Sequence, residues 1–119
     1  LPIVRDASGP DLVRAVQFID DLRVKDPIVY SRIGEVHPIA PRGFAIFDRD
    51  LATTVYANAD DVSSKFRDLY AIAQSEKLGR SQIEYADLRF TGRIVIKPVH
   101  PYTTAAAALP ISAPAQITN

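Results

Sequence analysis

At 119 residues the chain is large enough for one real core and too short for two. Its 14 basic and 14 acidic residues cancel, which argues against a nucleic-acid-binding surface, and the absence of Cys excludes disulfides and thiolate chemistry. The longest apolar run, AAAALPI around residue 108, falls far short of the roughly 20 residues that a membrane span needs.

In chain order, LPIV is a short extended run. A helix start follows: Ser8 can cap, Pro10 suits the first turn, and Asp11 stands three residues after Ser8, as in a capping box. Leu12, Ala15, Val16, Ile19 and Leu22 recur at the spacing of one buried helix face, and Pro27 ends the helix. Residues 28–57 read as three strands. The first is the β-branched IVYSRIGEVHPI, with Gly34 as a candidate bulge. PRG punctuates, FAIFD is the second strand, and ATTVYAN is the third. A second helix starts near Asn58 or Asp60, with acids suited to the positive end of its dipole. Val62, Phe66, Leu69, Tyr70 and Ala73 form its buried stripe, and Gly79 is its expected stop after Lys77.

The block IEYADLRFTGRIVIKP, residues 83–98, predicts a hairpin. A two-residue Thr91-Gly92 loop would pair Arg89 with Ile94 and Asp87 with Ile96, mixing charge into both apolar rows. A three-residue loop, Phe90-Thr91-Gly92, puts Gly92 at a left-handed position and sets Leu88 opposite Ile94 and Ala86 opposite Ile96. Asp87, Arg89, Arg93, Val95 and Lys97 then share the wet face. The predicted fold is α+β: an antiparallel sheet of about five strands with two helices on one face, in the order α-β-β-β-α-β-β. Strand 93–97 is expected at or near a sheet edge, its charged ends guarding against random pairing. Residues 1–98 form the domain. Residues 99–119 are an Ala- and Pro-rich tail without Asp, Glu, Lys or Arg, which cannot hold a core and can be ordered only by docking on this domain or a neighbour.

Nothing in the chain is built to move a proton or cradle a phosphate. His37 and His100 stand far apart, without metal-ligand spacing. Asp48-Arg49-Asp50 reads as a turn and Asp60-Asp61 as a helix start. There is no nucleophile elbow and no Gly-rich phosphate loop. No enzyme activity, cofactor or metal is expected, and residue chemistry alone leads to a small α+β interaction domain. A ligand-binding module with a concave apolar pocket, or an enzyme subunit whose site another chain completes, stays open at this point.

Three stretches are similar to the C-terminal β domain of the FtsQ/DivIB cell-division family: the opening LPIV, RGFAIF at residues 42–47, and above all the Tyr-x-Asp-Leu-Arg-aromatic block and final strand within residues 83–98. The likeness covers about residues 1–98. Phe44 stands where the family more often has Trp, the Gly usual near the third strand's end is missing from ANAD, and the tail has no counterpart. The resemblance implies a non-enzymatic divisome scaffold on the periplasmic, extracytoplasmic face of the bacterial inner membrane, anchored by a segment upstream of Leu1. A chain that begins at Leu1 and contains no Met fits a piece of such a longer protein. The implied partners are FtsB/FtsL-like bitopic proteins, which add a strand to the last β-strand. Carried over by position, that contact falls on Phe90, Thr91, Arg93, Ile94, Val95, Ile96 and Lys97. The alternative is a small extracytoplasmic ligand- or peptide-binding module unrelated to division.

Overall fold

A computed structural model describes residues 2–99 and 115–118. Its elements are β1 (Ile3–Val4), α1 (Gly9–Lys25), α2 (Pro27–Arg32), β2 (Ile33–Ile39), β3 (Gly43–Asp48), β4 (Thr53–Asn58), α3 (Val62–Ser75), β5 (Ile83–Asp87), β6 (Arg93–Pro98) and β7 (Ala115–Thr118). Six strands come from residues 3–98 and a seventh from the tail, in one sheet of order β1-β2-β3-β4-β5-β6-β7. The fold is α+β, but the expected antiparallel sheet of five strands and two helices is corrected to a mixed sheet with three helices. The β1–β2 and β4–β5 pairs are parallel. Both follow from helical crossovers: a strand that returns after a helix re-enters the sheet in its original direction.

The third helix lies where a strand was expected. Ile28, Val29 and Tyr30 favour strands by propensity, yet residues 27–32 are helical. Asp26 is the N-cap, its Oδ1 accepting from Val29 N at 3.2 Å, and Pro27 takes the first helical position. An Asp-Pro start outweighed the β-branched run. The strand therefore begins only at Ile33, with the expected irregularity at Gly34, where the β2–β3 register shifts between Ile33 and Glu35.

In α1, Ser8 is the N-cap and Pro10 lies in the first turn, but the Ser8 side chain makes no cap hydrogen bond. The buried face is Ala15, Phe18 and Leu22, with Ile19 packed at its rim. Leu12 and Val16 are exposed, so the inward stripe is rotated from the expected one toward Phe18. The cause is Phe44 on β3: its ring stacks on Phe18 at 4.4 Å between centroids and 16° between planes. The α3 stripe is as expected, with Val62, Phe66, Leu69 and Ala73 buried and Tyr70 packed against them. Its stop is not Gly79. Lys77 adopts φ 56°, and Leu78 N donates to Ala73 O while Lys77 N donates to Gln74 O, which closes the helix four residues earlier.

The buried residues of all three helices and of the sheet's inner face form one core. Val36, Phe44, Ile46, Val55, Ala86, Ile94 and Ile96 point inward; Glu35, His37, Ala45, Thr54, Tyr56, Tyr85, Val95 and Lys97 alternate with them on a half-buried outer face. The hairpin has the expected register, Ala86 opposite Ile96 and Asp87 opposite Val95, with Gly92 left-handed at φ 73°. One wet-face expectation fails. Asp87 is buried because Arg89 forks over it, Nε and Nη2 donating at 2.9 and 2.7 Å.

Asp26 ties the α1–α2 corner to α3. Its Oδ2 accepts from Arg67 Nη2 at 2.9 Å. Burial alone pushes this carboxyl up, but hydrogen bonds from Val29 N–H, Arg67 and Ser63 outweigh it and hold it below the usual 3.8. A carboxyl lowered on folding contributes stability above its unfolded value and loses it as the pH falls through the folded one. Asp26→Asn keeps a capping side chain and removes the charge. It is expected to cost about 1 kcal/mol at pH 7. Urea titrations should show that gap closing below pH ~4.

Candidate partner-binding edge

The hairpin is held rigidly at its turn. Lys65 Nζ on α3 donates to Phe90 O at 2.7 Å and lies 3.5 Å from Arg93 O. Leu88 N donates to Tyr56 O, extending the β4–β5 contact past the end of β5. The Arg89 guanidinium, clamped by Asp87, lies 5.1 Å from the Tyr56 ring centre, and its pKa is raised first by the Asp87 hydrogen bonds. The Arg93 guanidinium covers the Phe90 ring at 4.5 Å.

The family-derived contact residues fall into two groups. Phe90, 38% exposed, and Thr91 lie in the turn, while Arg93 to Lys97 form β6. Ile94 and Ile96 are core residues, so only their main chain is available to another strand. Arg93, Val95 and Lys97 present half-buried side chains on the outer face, Lys97 Nζ standing 3.2 Å from Glu84. β6 lies near the sheet edge, as expected, but it is not the last strand, and the implied addition to the last strand needs correction. Residues 115–118 pair outside it antiparallel, Arg93 opposite Thr118, Ile94 opposite Ile117, Val95 opposite Gln116 and Ile96 opposite Ala115. The tail's own composition hid this strand, although Gln116-Ile117-Thr118 is short, polar-alternating and free of Pro. The expectation that the tail docks along the domain thus holds for residues 115–118. Residues 100–114 and 119, with His100, lie outside the described residues.

A cleft of about 490 Å³ opens beside the turn, lined by Arg14, Arg42, Phe44, Asn58, Asp60, Arg89 and Phe90. Arg14 is fixed there by contacts with the carbonyls of Gly43 at 3.4 Å and Ile39 at 3.5 Å and by the Phe44 face at 4.7 Å. Gly43 packs closely at this rim: a Cβ there would meet Asn58 Oδ1 at 3.2 Å and the Ala57 carbonyl at 3.3 Å, so both would have to give by a few tenths of an ångström. Sequence reasoning missed the cleft because its arginines come from a helix, a turn and a hairpin with no local pattern; Arg42 and Arg89 sat in two separate recognised blocks, and nothing in the sequence brought them together with Arg14.

The remaining titratable candidates are structural. The Asp48 carboxylate is fully buried: Oδ1 accepts from Asp50 N and Leu51 N at 2.9 Å each, and Oδ2 accepts from Tyr70 Oη at 2.8 Å. Arg32 Nε stands 3.8 Å from Asp48 and 3.2 Å from Asp50, with its guanidinium 3.4 Å from the Tyr70 ring centre. The Arg32 Nε contact with Asp50 is an ion pair by distance only, because its geometry makes no hydrogen bond. Burial, then the Asp48 charge, drives the Tyr70 hydroxyl far above its usual range, so it serves as a donor and not as a base. His37 Nδ1 lies 3.1 Å from Asp6 Oδ2 at the surface. Asp61 is the α3 N-cap, in a left-handed conformation and without a side-chain cap bond. Among the described residues no cluster of three or more acidic or His side chains could hold a metal, and no helix is long and apolar enough to cross a membrane. No family model matches the chain, and no curated protein matches it significantly.

Proposed function

We propose that this chain is the extracytoplasmic β domain of an FtsQ/DivIB-like division scaffold, a non-enzymatic part that holds an FtsB/FtsL-like bitopic protein by strand addition at β6. The observation that carries the reading is the pairing of Arg93–Ile96 with an antiparallel strand from outside the domain body. The N–H and C=O groups of that side of β6 are therefore disposed to pair with an antiparallel strand, and main-chain pairing would supply much of the affinity. The resemblance of residues 83–98 supplies the partner's class and the location, outside the bacterial cytoplasmic membrane.

A titration with the extracytoplasmic segment of such a partner tests this. Ile94→Pro or Val95→Pro, whichever removes the N–H on the β7 side, is expected to weaken binding at least tenfold while circular dichroism stays native. Arg93→Glu with Lys97→Glu should weaken it more at low than at high salt, since rim charges steer association through screened fields. Equal binding by wild type and both prolines, all folded, would remove β6 from the interface. The runner-up, a peptide- or ligand-binding module unrelated to division, is favoured by the arginine-lined cleft, which suits an acidic segment. Under that reading Arg42→Glu abolishes binding and the β6 prolines do not.

A further inference from the structure

We infer that the β6 edge works by strand exchange: β7 is a tethered resident that covers the docking site, and an external antiparallel strand must displace it. The inference deepens the strand-addition reading and takes its biological partner from it. Three features carry it. First, β7 lies along the same four residues, Arg93–Ile96, that strand addition needs, so resident and incoming strand cannot both pair with β6. Second, the resident is short. It spans the four residues Ala115–Thr118, whereas β6 runs over the six residues Arg93–Pro98. Third, the register suits the site. The apolar Ala115 and Ile117 stand opposite the buried Ile96 and Ile94, and the polar Gln116 and Thr118 stand opposite Val95 and Arg93. An incoming strand should follow the same alternation, with apolar residues opposite Ile94 and Ile96.

The tether explains why a strand of this length stays in place. Tail residues 99–114 join β6 to β7 in one chain, which gives β7 an effective concentration on the order of millimolar at its site. A free strand with the same contacts must compete against that concentration. A partner that adds side-chain contacts at the turn overcomes it. The cover also blunts an otherwise open edge that would template association between copies.

The test uses the full chain and a synthetic peptide of residues 111–119, ISAPAQITN, as the external strand. Gln116→Pro and Ile117→Pro each place a proline in β7, and one of them removes an N–H that faces β6. That variant is expected to expose the β6 amides, raising their hydrogen exchange at least tenfold while the thermal midpoint of the domain barely moves. Adding the peptide should restore protection in the variant. At the same peptide concentration wild type should bind it at least tenfold more weakly, because its own tail competes. Equal β6 protection in wild type and both variants would overturn the inference. So would equal peptide binding by wild type and variants, or a wild-type dimer that disappears in the variants, which would place β7 on a second copy. If the peptide exchanges as expected but an FtsB/FtsL-like segment binds neither wild type nor variant, strand exchange stands and the division reading falls.

Discussion

Replacing Asp48 by alanine is expected to destabilise the domain by about 3–5 kcal/mol, read from urea denaturation at neutral pH. The carboxylate is wholly buried and serves four groups: two backbone N–H groups of the β3–β4 turn, the Tyr70 hydroxyl and the nearby Arg32 guanidinium. Alanine leaves three donors without their acceptor and Arg32 held against the Tyr70 face without its inner counter-charge. Each stranded donor carries a desolvation cost of roughly 1–3 kcal/mol. Tyr70→Phe removes only one donor and leaves the carboxylate its backbone bonds, so it should cost about 1–2 kcal/mol. A loss below about 1 kcal/mol for Asp48→Ala would mean that water or Asp50 takes over its partners. The expected size is a large share of the 5–15 kcal/mol that domains of this kind possess.

Phe66→Ala should cost about as much, 3–5 kcal/mol, because Phe66 is fully buried against Tyr70 at 5.8 Å between ring centres and its removal leaves a cavity in rigid surroundings. Phe90→Ala makes the contrast. That ring is 38% exposed, covers no core and touches Arg93, while the Lys65 bond at this position goes to the backbone carbonyl and survives the substitution. Its stability cost should stay under about 1 kcal/mol. Its effect should appear in the partner titration instead, as a five- to tenfold weaker complex, the usual loss when an aromatic contact at an interface is truncated. If Phe90→Ala unfolded the domain as readily as Phe66→Ala, the turn would be a packing element and not a docking one.

The hairpin was legible in the sequence because two independent signals agreed there: Gly92 fixed the loop length, and charge segregation fixed the register. The α3 stripe was legible for a similar reason, its apolar residues recurring at helical spacing over three turns. What escaped had a physical cause in each place. Ile28-Val29-Tyr30 carried strand propensity, while the helix they joined was decided by a single buried cap at Asp26. The α1 face turned toward Phe18 because its stacking partner, Phe44, stands on another element 26 positions away. The parallel β4–β5 pair required reading α3 as a crossover rather than as a separate layer. The β7 strand was hidden in low-complexity surroundings, and its pairing depends on β6 rather than on its own composition. The arginine cleft was hidden because three separate segments converge on it.

The unbroken strand order, in which every strand pairs with its neighbour in sequence, has a consequence for how the chain reaches its native state. Almost all sheet pairing is between segments joined by tight turns or a single helical crossover, so loop-closure entropy is met in small steps. The β2–β3–β4 meander, with its two short turns, is positioned to nucleate, and α3 with β5–β6 can condense on it. The exception is β7, which closes through residues 99–114 and can pair only after β6 has formed. Folding should therefore be a single fast event followed by a separable zippering of the tail. During synthesis β7 emerges after β6, leaving an interval in which that side of the sheet is open and newly made chains are most prone to join one another.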